Sequence, residues 1–440
     1  MSSPVDGVEG VDTAPPAGSP VVRTRLLGSR SFSPSTTAAL LGGLTLVMLA
    51  AARMFTHAPA LTSSGAFGSA IGLATPVAMA GLGGLISERV GIVNIGLQGM
   101  MAFGTWGAGF FGWHFGPWGA LFGGALMGGL GGALHALTTI TFGVDHAVSG
   151  VALNLLAPGV CRFLSSVLFA GRDGGTLTDS PPVGHLGRLT LPFVAGGRIG
   201  GWHSPDPLGW FEKRQWFLVS DVTGLLRGFT RDIAAETVLM LLLIPLFAYL
   251  IWRTPFGLRL RSSGEKPSAA DSLGVDVIRI RWTAVILSGM LSGLGGAWLV
   301  TNVGKYQQGQ EGLRGFLGLG AVIFGNWRPA GMFVGALLFQ FTESVRLQIG
   351  DAPARAFVLT VAFALAALAV WQLGRRAITA GSVLIASAIG VFAYYAVANR
   401  VDDKLAYTFP FLITLLMLLF SSERLRPPAA SGQPFFKGSS

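Results

Sequence analysis

The amino-acid sequence predicts an all-α fold, a polytopic transmembrane helical bundle of about 10–12 spans with a broken or re-entrant helix. Three observations carry this expectation. Hydrophobic residues make up 51% of the chain and charged residues only 12%, against about 25% charged in a typical soluble domain. Apolar stretches recur at the length of roughly 20 residues that crosses a hydrocarbon core. The lysines and arginines collect between those stretches and form no basic face. The formal charge of +10 therefore reads as a topology signal and argues against nucleic-acid binding.

Residues 1–37 are rich in Pro, Ser, Gly and Thr and lack the apolar core of a signal peptide, so they read as a disordered cytoplasmic tail. The transmembrane domain follows over 38–422. Its candidate spans lie near 38–55, 66–86, 90–112, 117–138, 147–169, 234–252, 282–302, 314–327, 329–347, 355–374, 379–397 and 405–421. Segment 314–327 is short for a crossing and reads as half of a broken helix or a re-entrant piece. The 64 glycines follow no G-X-Y period, which excludes collagen. Runs such as Gly123-Gly124, Gly128-Gly129 and Gly131-Gly132 suit close helix–helix approach in lipid.

Four basic clusters set the orientation: Arg23, Arg25 and Arg30; the loop 253–281; Arg375 and Arg376; and Arg424 and Arg426. With all candidate spans crossing, these fall on one side, the cytoplasm, together with both termini and the tail 423–440. The segment 170–233 is then extracytoplasmic. Its basic and acidic residues nearly balance, and long segments obey the positive-inside rule weakly. Its pieces 205–219 and 220–232 carry aromatics and suit the membrane surface, as a lid, a docking surface or a passive insertion. Cys161 stands alone, so no internal disulfide forms. The six histidines show no metal-ligand spacing.

Three stretches carry the functional reading. In the first, Ser87-Glu88-Arg89 through Gly99-Met100 interrupts an apolar region with polar residues and glycines. Non-helical backbone at membrane depth persists where it is buried in protein or lines a water-filled path. On a helix, Asn94 and Gln98 share a face, and their uncharged amides both donate and accept. An ordinary turn followed by a packing Asn fits the same spacing. In the second stretch, Gly143 through Asn154, the buried Asn154 either meets substrate or bonds a neighbouring helix, while Asp145 and His146 mark a membrane boundary and Ser149 lies between. In the third, Thr254 to Val275, Pro267 or Ser268 starts a short helix that Gly274 ends. Such a helix suits coupling to an external motor, and a basic loop without a partner fits equally. No GxxxxGK[ST] loop is present, since Gly304-Lys305 is followed by Tyr306, so any ATP must be held by another chain.

In this order the stretches resemble the permeases of bacterial ABC importers of the simple-sugar and nucleoside branch, in the branched-chain amino acid/ribose-type permease superfamily. Ser87-Glu88-Arg89-x-Gly91-x-Val93-Asn94-Ile95-Gly96-Leu97-x-Gly99-Met100 is similar to the signature of the nucleoside-type members. Val148-Ser149-Gly150 through Asn154-Leu155-Leu156, the Thr254-to-Gly274 stretch, and Phe316–Gly320 followed by Ala321 to Pro329 are also similar. Gln98 stands where the family usually has Glu, and Ser268 replaces the leading Glu of the coupling motif.

The resemblance implies a non-catalytic permease subunit in a bacterial cytoplasmic membrane, importing nucleosides. A substrate pathway is expected at Asn94, Gln98, Asn154, Ser149, His146 and Trp106, with the base stacking on Trp106 or Trp113 unless these are interfacial anchors. ATPase coupling is expected at Gly264, Glu265, Ala269, Ala270, Leu273 and Gly274. The implied partners are an ABC ATPase that binds ATP and Mg, a second permease, similar or identical, and an extracytoplasmic substrate-binding lipoprotein; no cofactor is expected in this chain. Alternatives are a permease for a pentose or other simple sugar, or a stand-alone secondary transporter. The latter needs an acidic relay, for which Glu343 is the clear intramembrane acid.

Overall fold

The computed structural model describes residues 34–347, 351–374, 376–398, 401, 408 and 425–436. Residues 1–33 of the expected tail, and all of the expected span 405–421 except Thr408, lie outside the described residues. The chain divides into two compact units, Met1–Leu44 and Thr45–Ser440. The first contributes the opening turns of helix α1 (Pro34–Thr56). The second holds the bundle.

Helix α2 (Ser64–Arg89) starts where Ser63 Oγ accepts the Ala66 N–H at 3.2 Å, satisfying one of the orphan donors of the first turn. It is apolar around its circumference and buried along most of its length, as befits the centre of a bundle. The chain then leaves helical geometry and resumes it in α3 (Leu97–Ala136). At 1.5 Å per residue the 40 residues of α3 would reach about 60 Å, twice a hydrocarbon core. Gly116 resolves this with φ 72° and ψ −173°, followed by Pro117, whose ring lacks the N–H. The two arms fold back on each other, so that a Cβ on Gly107 would lie 2.5 Å from the Gly123 carbonyl oxygen. Predicted spans 90–112 and 117–138 are thus one hairpin, the first arm starting at Leu97. Helix α4 (His146–Leu168) is capped by Asp145, whose Oδ1 accepts from Ala147 and Val148 N–H at 2.9 and 3.0 Å.

Between α4 and the helix that begins at Ala235 lies the segment that the sequence offers as a lid, a docking surface or a passive insertion; it has two short antiparallel pairs, β1 (Arg188–Leu189) with a strand at Ile233–Ala234, and β2 (Arg198–Ile199) with β3 (Trp202–His203). It also carries α5 (Pro207–Lys213) and α6 (Val219–Gly228). Exposed Trp210, Trp216 and Phe217 suit a membrane–water interface. However, α6 does not lie free on that surface. Gly224 and Gly228 pack onto Thr62 and Phe67 at the head of α2, and a buried ion network fixes them there. Arg53 Nη2 donates to Asp221 Oδ2 at 3.1 Å, and Thr62 Oγ1 to Asp221 Oδ1 at 2.5 Å. Arg227 bonds Asp206 and, at 2.7 Å, Glu212. Burial opposes the Arg227 charge, but these two carboxylates outweigh it and raise its pKa. Removing one partner of the buried Arg53–Asp221 pair costs about 3–5 kcal/mol.

Helix α7 (Ala235–Arg253) returns from the lid to the opposite end, where α8 (Pro255–Glu265) and α9 (Pro267–Ser272) lie. Helix α10 (Val277–Val303) crosses back and packs along α3. A Cβ on Gly128 would fall 2.6 Å from Gly293 Cα, and one on Gly132 would fall 2.6 Å from the Val285 carbonyl oxygen. This backbone-to-backbone seam is the use the glycine-rich sequence suggests. Helices α11 (Arg314–Phe324), α12 (Pro329–Arg346), α13 (Asp351–Gly374) and α14 (Ile378–Val397) follow. Seven helices among the described residues are long and apolar enough to cross a membrane, and the fold is an all-α polytopic bundle. Residues 425–436 return to the α8–α9 end as a strap. There Ala430 N–H donates to Gly264 O and Gly432 N–H to Gly91 O, both at 2.9 Å.

Candidate functional site

The interruption after α2 is built by its own side chains. Ser87 Oγ donates to Ile92 O at 2.8 Å, closing the turn. Asn94 is fully buried, and its Nδ2 donates to Ser288 Oγ on α10 at 2.9 Å, while its Oδ1 has no partner. Asn154, half-buried on α4, accepts from Gly99 N–H at 2.7 Å and donates to Ile95 O at 3.0 Å. It satisfies one donor and one acceptor that the broken helix leaves open. The expected shared face of Asn94 and Gln98 is corrected here: Asn94 precedes the first helical residue, Leu97, so the two amides diverge. A residue in the irregular link cannot also hold the helical register that spacing assumes.

Gln98 instead reaches the start of α11. Its Oε1 accepts from Gly315 N–H at 2.9 Å and its Nε2 donates to Gly312 O at 2.6 Å. One bond is accepted and the other donated, so the amide suits this site as a carboxylate would not. At the other end of α11, Glu88 accepts from Trp327 Nε1, and Arg89 Nη2 donates to Trp327 O at 2.7 Å. The motif around Ser87–Gln98 therefore grips both ends of the half-helix.

Ser149 and His146 lie on the α4 side. Ser149 Oγ meets His135 Nδ1 at 2.8 Å and Thr138 Oγ1 at 2.5 Å, and Val93 N–H donates to His146 Nδ1 at 3.4 Å. Trp106 is 4% exposed and stacks on Phe110 and Phe169, with centroids at 5.5 and 5.6 Å, while its Nε1 donates to Ser165 Oγ at 3.2 Å. It sits inside the protein rather than on its surface. Trp113 meets Phe169 edge-on at 6.4 Å and lies under Arg172. Cys161 is buried in α4, as a small apolar residue would be.

The crossing between α10 and α12 is half helix and half a run of turns. Residues 304–313 leave the lid end, where Lys305 pairs with Asp179 at 3.3 Å and Ser180 N–H donates to Tyr306 O at 3.1 Å. They descend to Gln98, and α11 completes the passage. Gln310 has both amide atoms buried without a partner, and Glu311, 7% exposed, has an unpartnered Oε2. Sequence reasoning missed these two residues. The run Gln307-Gln308-Gly309-Gln310-Glu311-Gly312, directly before a short apolar segment, was the available signal.

At the opposite end, α8 is capped by Thr254, whose Oγ1 accepts from Gly257 N–H at 3.2 Å. Gly264 is buried against the Arg89 carbonyl with no room for a side chain, and Glu265 Oε2 accepts from Ala429 N–H of the strap at 3.2 Å. Pro267 opens α9, and Gly274, at φ +83°, ends it. Ala270 points inward at 3% exposure, whereas Ala269 is exposed and Leu273 is 85% exposed. At the lid end, a cavity of about 460 Å³ opens between α2, α7 and α10, lined by Gly68, Ser69, Gly72, Thr237, Trp298 and Asn302 among others.

A bundle with a broken crossing at its heart and a short helix offered beyond it is the architecture of a transport permease. The chain belongs to the branched-chain amino acid transport system/permease component family, whose pattern matches residues 66–370. It is 35% identical over 288 residues to the nucleoside ABC transporter permease protein NupC of Lactococcus lactis, covering 63% of this chain and 81% of that one. The guanosine ABC transporter permease protein NupQ of Bacillus subtilis is 32% identical over 282 residues, covering 62% and 79%. A putative glucose ABC transporter permease protein, TsgC13 of Haloferax volcanii, is 32% identical over 289 residues, covering 65% and 78%. No solved structure matches the chain. The resemblance drawn from the motifs thus holds: the chain is a non-catalytic, multi-pass permease subunit of an ABC importer, a class that works with an ATPase and a substrate-binding protein.

Proposed function

We propose that this chain forms the translocation pathway of an ATP-driven nucleoside importer. The observation that carries the reading is the 35% identity to a permease named for nucleosides, supported by the 32% identity to one named for guanosine. Around the pathway, Gln98 holds the broken crossing and Trp106 belongs to the aromatic cluster beside it, while Asn94, Asn154, Ser149 and His146 brace the helices that line it rather than meet the solute. The exposed face of α9, with Ala269, Leu273 and Gly274 beside Gly264, Glu265 and Ala270, receives the ATPase. That partner holds ATP and Mg. A second permease, paralogous or identical, completes the path, and a lipoprotein delivers solute at the lid end. The α8–α9 end and both termini face the cytoplasm of a bacterial plasma membrane, in accord with the arginines and lysines of 253–281. Closure of the ATPase on ATP then biases the bundle between inward-open and outward-open states.

A sugar permease is the second reading, favoured by the relative named for glucose. The reconstituted complex of permease, ATPase and binding protein decides between them. Hydrolysis stimulated by guanosine and uridine, and not by ribose or glucose, is expected. Stimulation by the sugars alone, or uptake without hydrolysis, would reject the nucleoside reading.

A further inference from the structure

Buried polar groups in folded proteins are almost always hydrogen-bonded, and an unmade bond costs about 1–3 kcal/mol. Among the described residues, Gln310 is the side chain whose amide nitrogen and oxygen are both buried and both unpartnered. Glu311 Oε2 is orphaned beside it. Both stand on the non-helical half of the broken crossing, in a run of turns. Backbone of that form is kept at membrane depth where it lines a path or a binding site. An aromatic cluster adjoins them. Glu311 lies within electrostatic range of Tyr306 and of the Cys161 thiol on α4. The Tyr306 ring is 6.1 Å from Phe169, which stacks on Trp106.

We propose that Gln310 and Glu311 are solute-contacting residues of the pathway. Gln310 supplies a paired donor and acceptor, and Glu311 supplies an acceptor oxygen. The Tyr306–Phe169–Trp106 cluster forms the aromatic wall beside them. This set fits a neutral solute with a flat heterocycle and adjacent hydroxyls, that is, a nucleoside. The Gln310 amide pairs with the edge of the base, and the Glu311 carboxylate accepts from ribose hydroxyls. The inference rests on the nucleoside-importer reading and names the site within it. Gln98 positions the segment through Gly312 and Gly315.

The test is the guanosine KM of the reconstituted importer carrying Gln310→Leu or Glu311→Gln, with the thermal midpoint measured in the same preparation. Each substitution is expected to raise KM about tenfold or more; with Gln310→Leu the midpoint stays level or rises, because two orphaned polar atoms are lost, and with Glu311→Gln, which removes the charge and keeps the shape, it stays level. KM within twofold of the unmodified chain overturns the proposal. So does an unchanged KM with a lowered midpoint, which would mean that the groups are satisfied by buried water. Where Gln310→Leu fails to assemble, Gln310→Asn retracts the amide by one methylene and is expected to shift KM in the same direction; an unshifted KM there also overturns the proposal. If the unmodified complex takes up no guanosine, the importer reading fails instead.

Discussion

Two interruptions of the helical bundle invite comparison. The first, at 90–96, satisfies most of its own hydrogen bonds: Ser87 closes the turn, Asn154 caps the restarted helix, and Asn94 reaches α10. The second, at 304–313, is held from outside by Gln98 and leaves the Gln310 amide and Glu311 Oε2 without hydrogen-bond partners. The difference separates two jobs that polar residues do in a membrane. One interruption is a bracket, rich in motif residues and closed by them. The other is the piece the bracket holds, and its free polar groups remain available for a solute.

The largest expected effect falls on the bracket. Asn154→Leu leaves Gly99 N–H and Ile95 O without partners, so stability should fall by about 2–4 kcal/mol, read as a lower unfolding midpoint in detergent. An unchanged midpoint would erase the distinction between the two interruptions. Gln98→Leu removes both bonds to the α11 turn and should cost about 2 kcal/mol; Gln98→Glu should recover only the bond accepted from Gly315, and equal stability of Gln98→Glu and the native chain would break this reading. Outside both interruptions, Gly274→Ala meets nothing within 4 Å but must hold φ +83°, for a cost of about 1 kcal/mol. Gly274→Arg adds a charge to the same exposed surface and should reduce co-purification of the ATPase while the permease still inserts. Trp106→Phe keeps the aromatic stack and loses the bond to Ser165. About 1 kcal/mol of stability should go with it, with guanosine uptake changed less than by Gln310→Leu.

Much of this architecture is legible from residue patterns. Apolar length locates α2, α4, α7, α10, α13, α14 and both arms of α3, the short 314–327 segment marks itself as half a helix or a re-entrant piece, and Pro267 and Gly274 bound α9. The break at Gly116 and Pro117 between the two arms of α3 also falls between predicted spans 90–112 and 117–138. The partner of each amide was hidden, because Asn94, Gln98 and Asn154 reach residues far away in sequence, such as Ser288, Gly312 and Gly99. Spacing identified polar groups at membrane depth without showing which were already bonded. The same blindness passed over Gln310 and Glu311, whose neighbours look like an ordinary polar loop.

Cysteine protection at position 310 tests the distinction most directly. In a Cys161→Ala background, Gln310→Cys in the assembled importer is treated with a water-soluble thiol reagent, with and without saturating guanosine. The account predicts labelling that guanosine slows severalfold, whereas Asn154→Cys, on the bracket, shows no such protection. Equal labelling of position 310 with and without guanosine would contradict it.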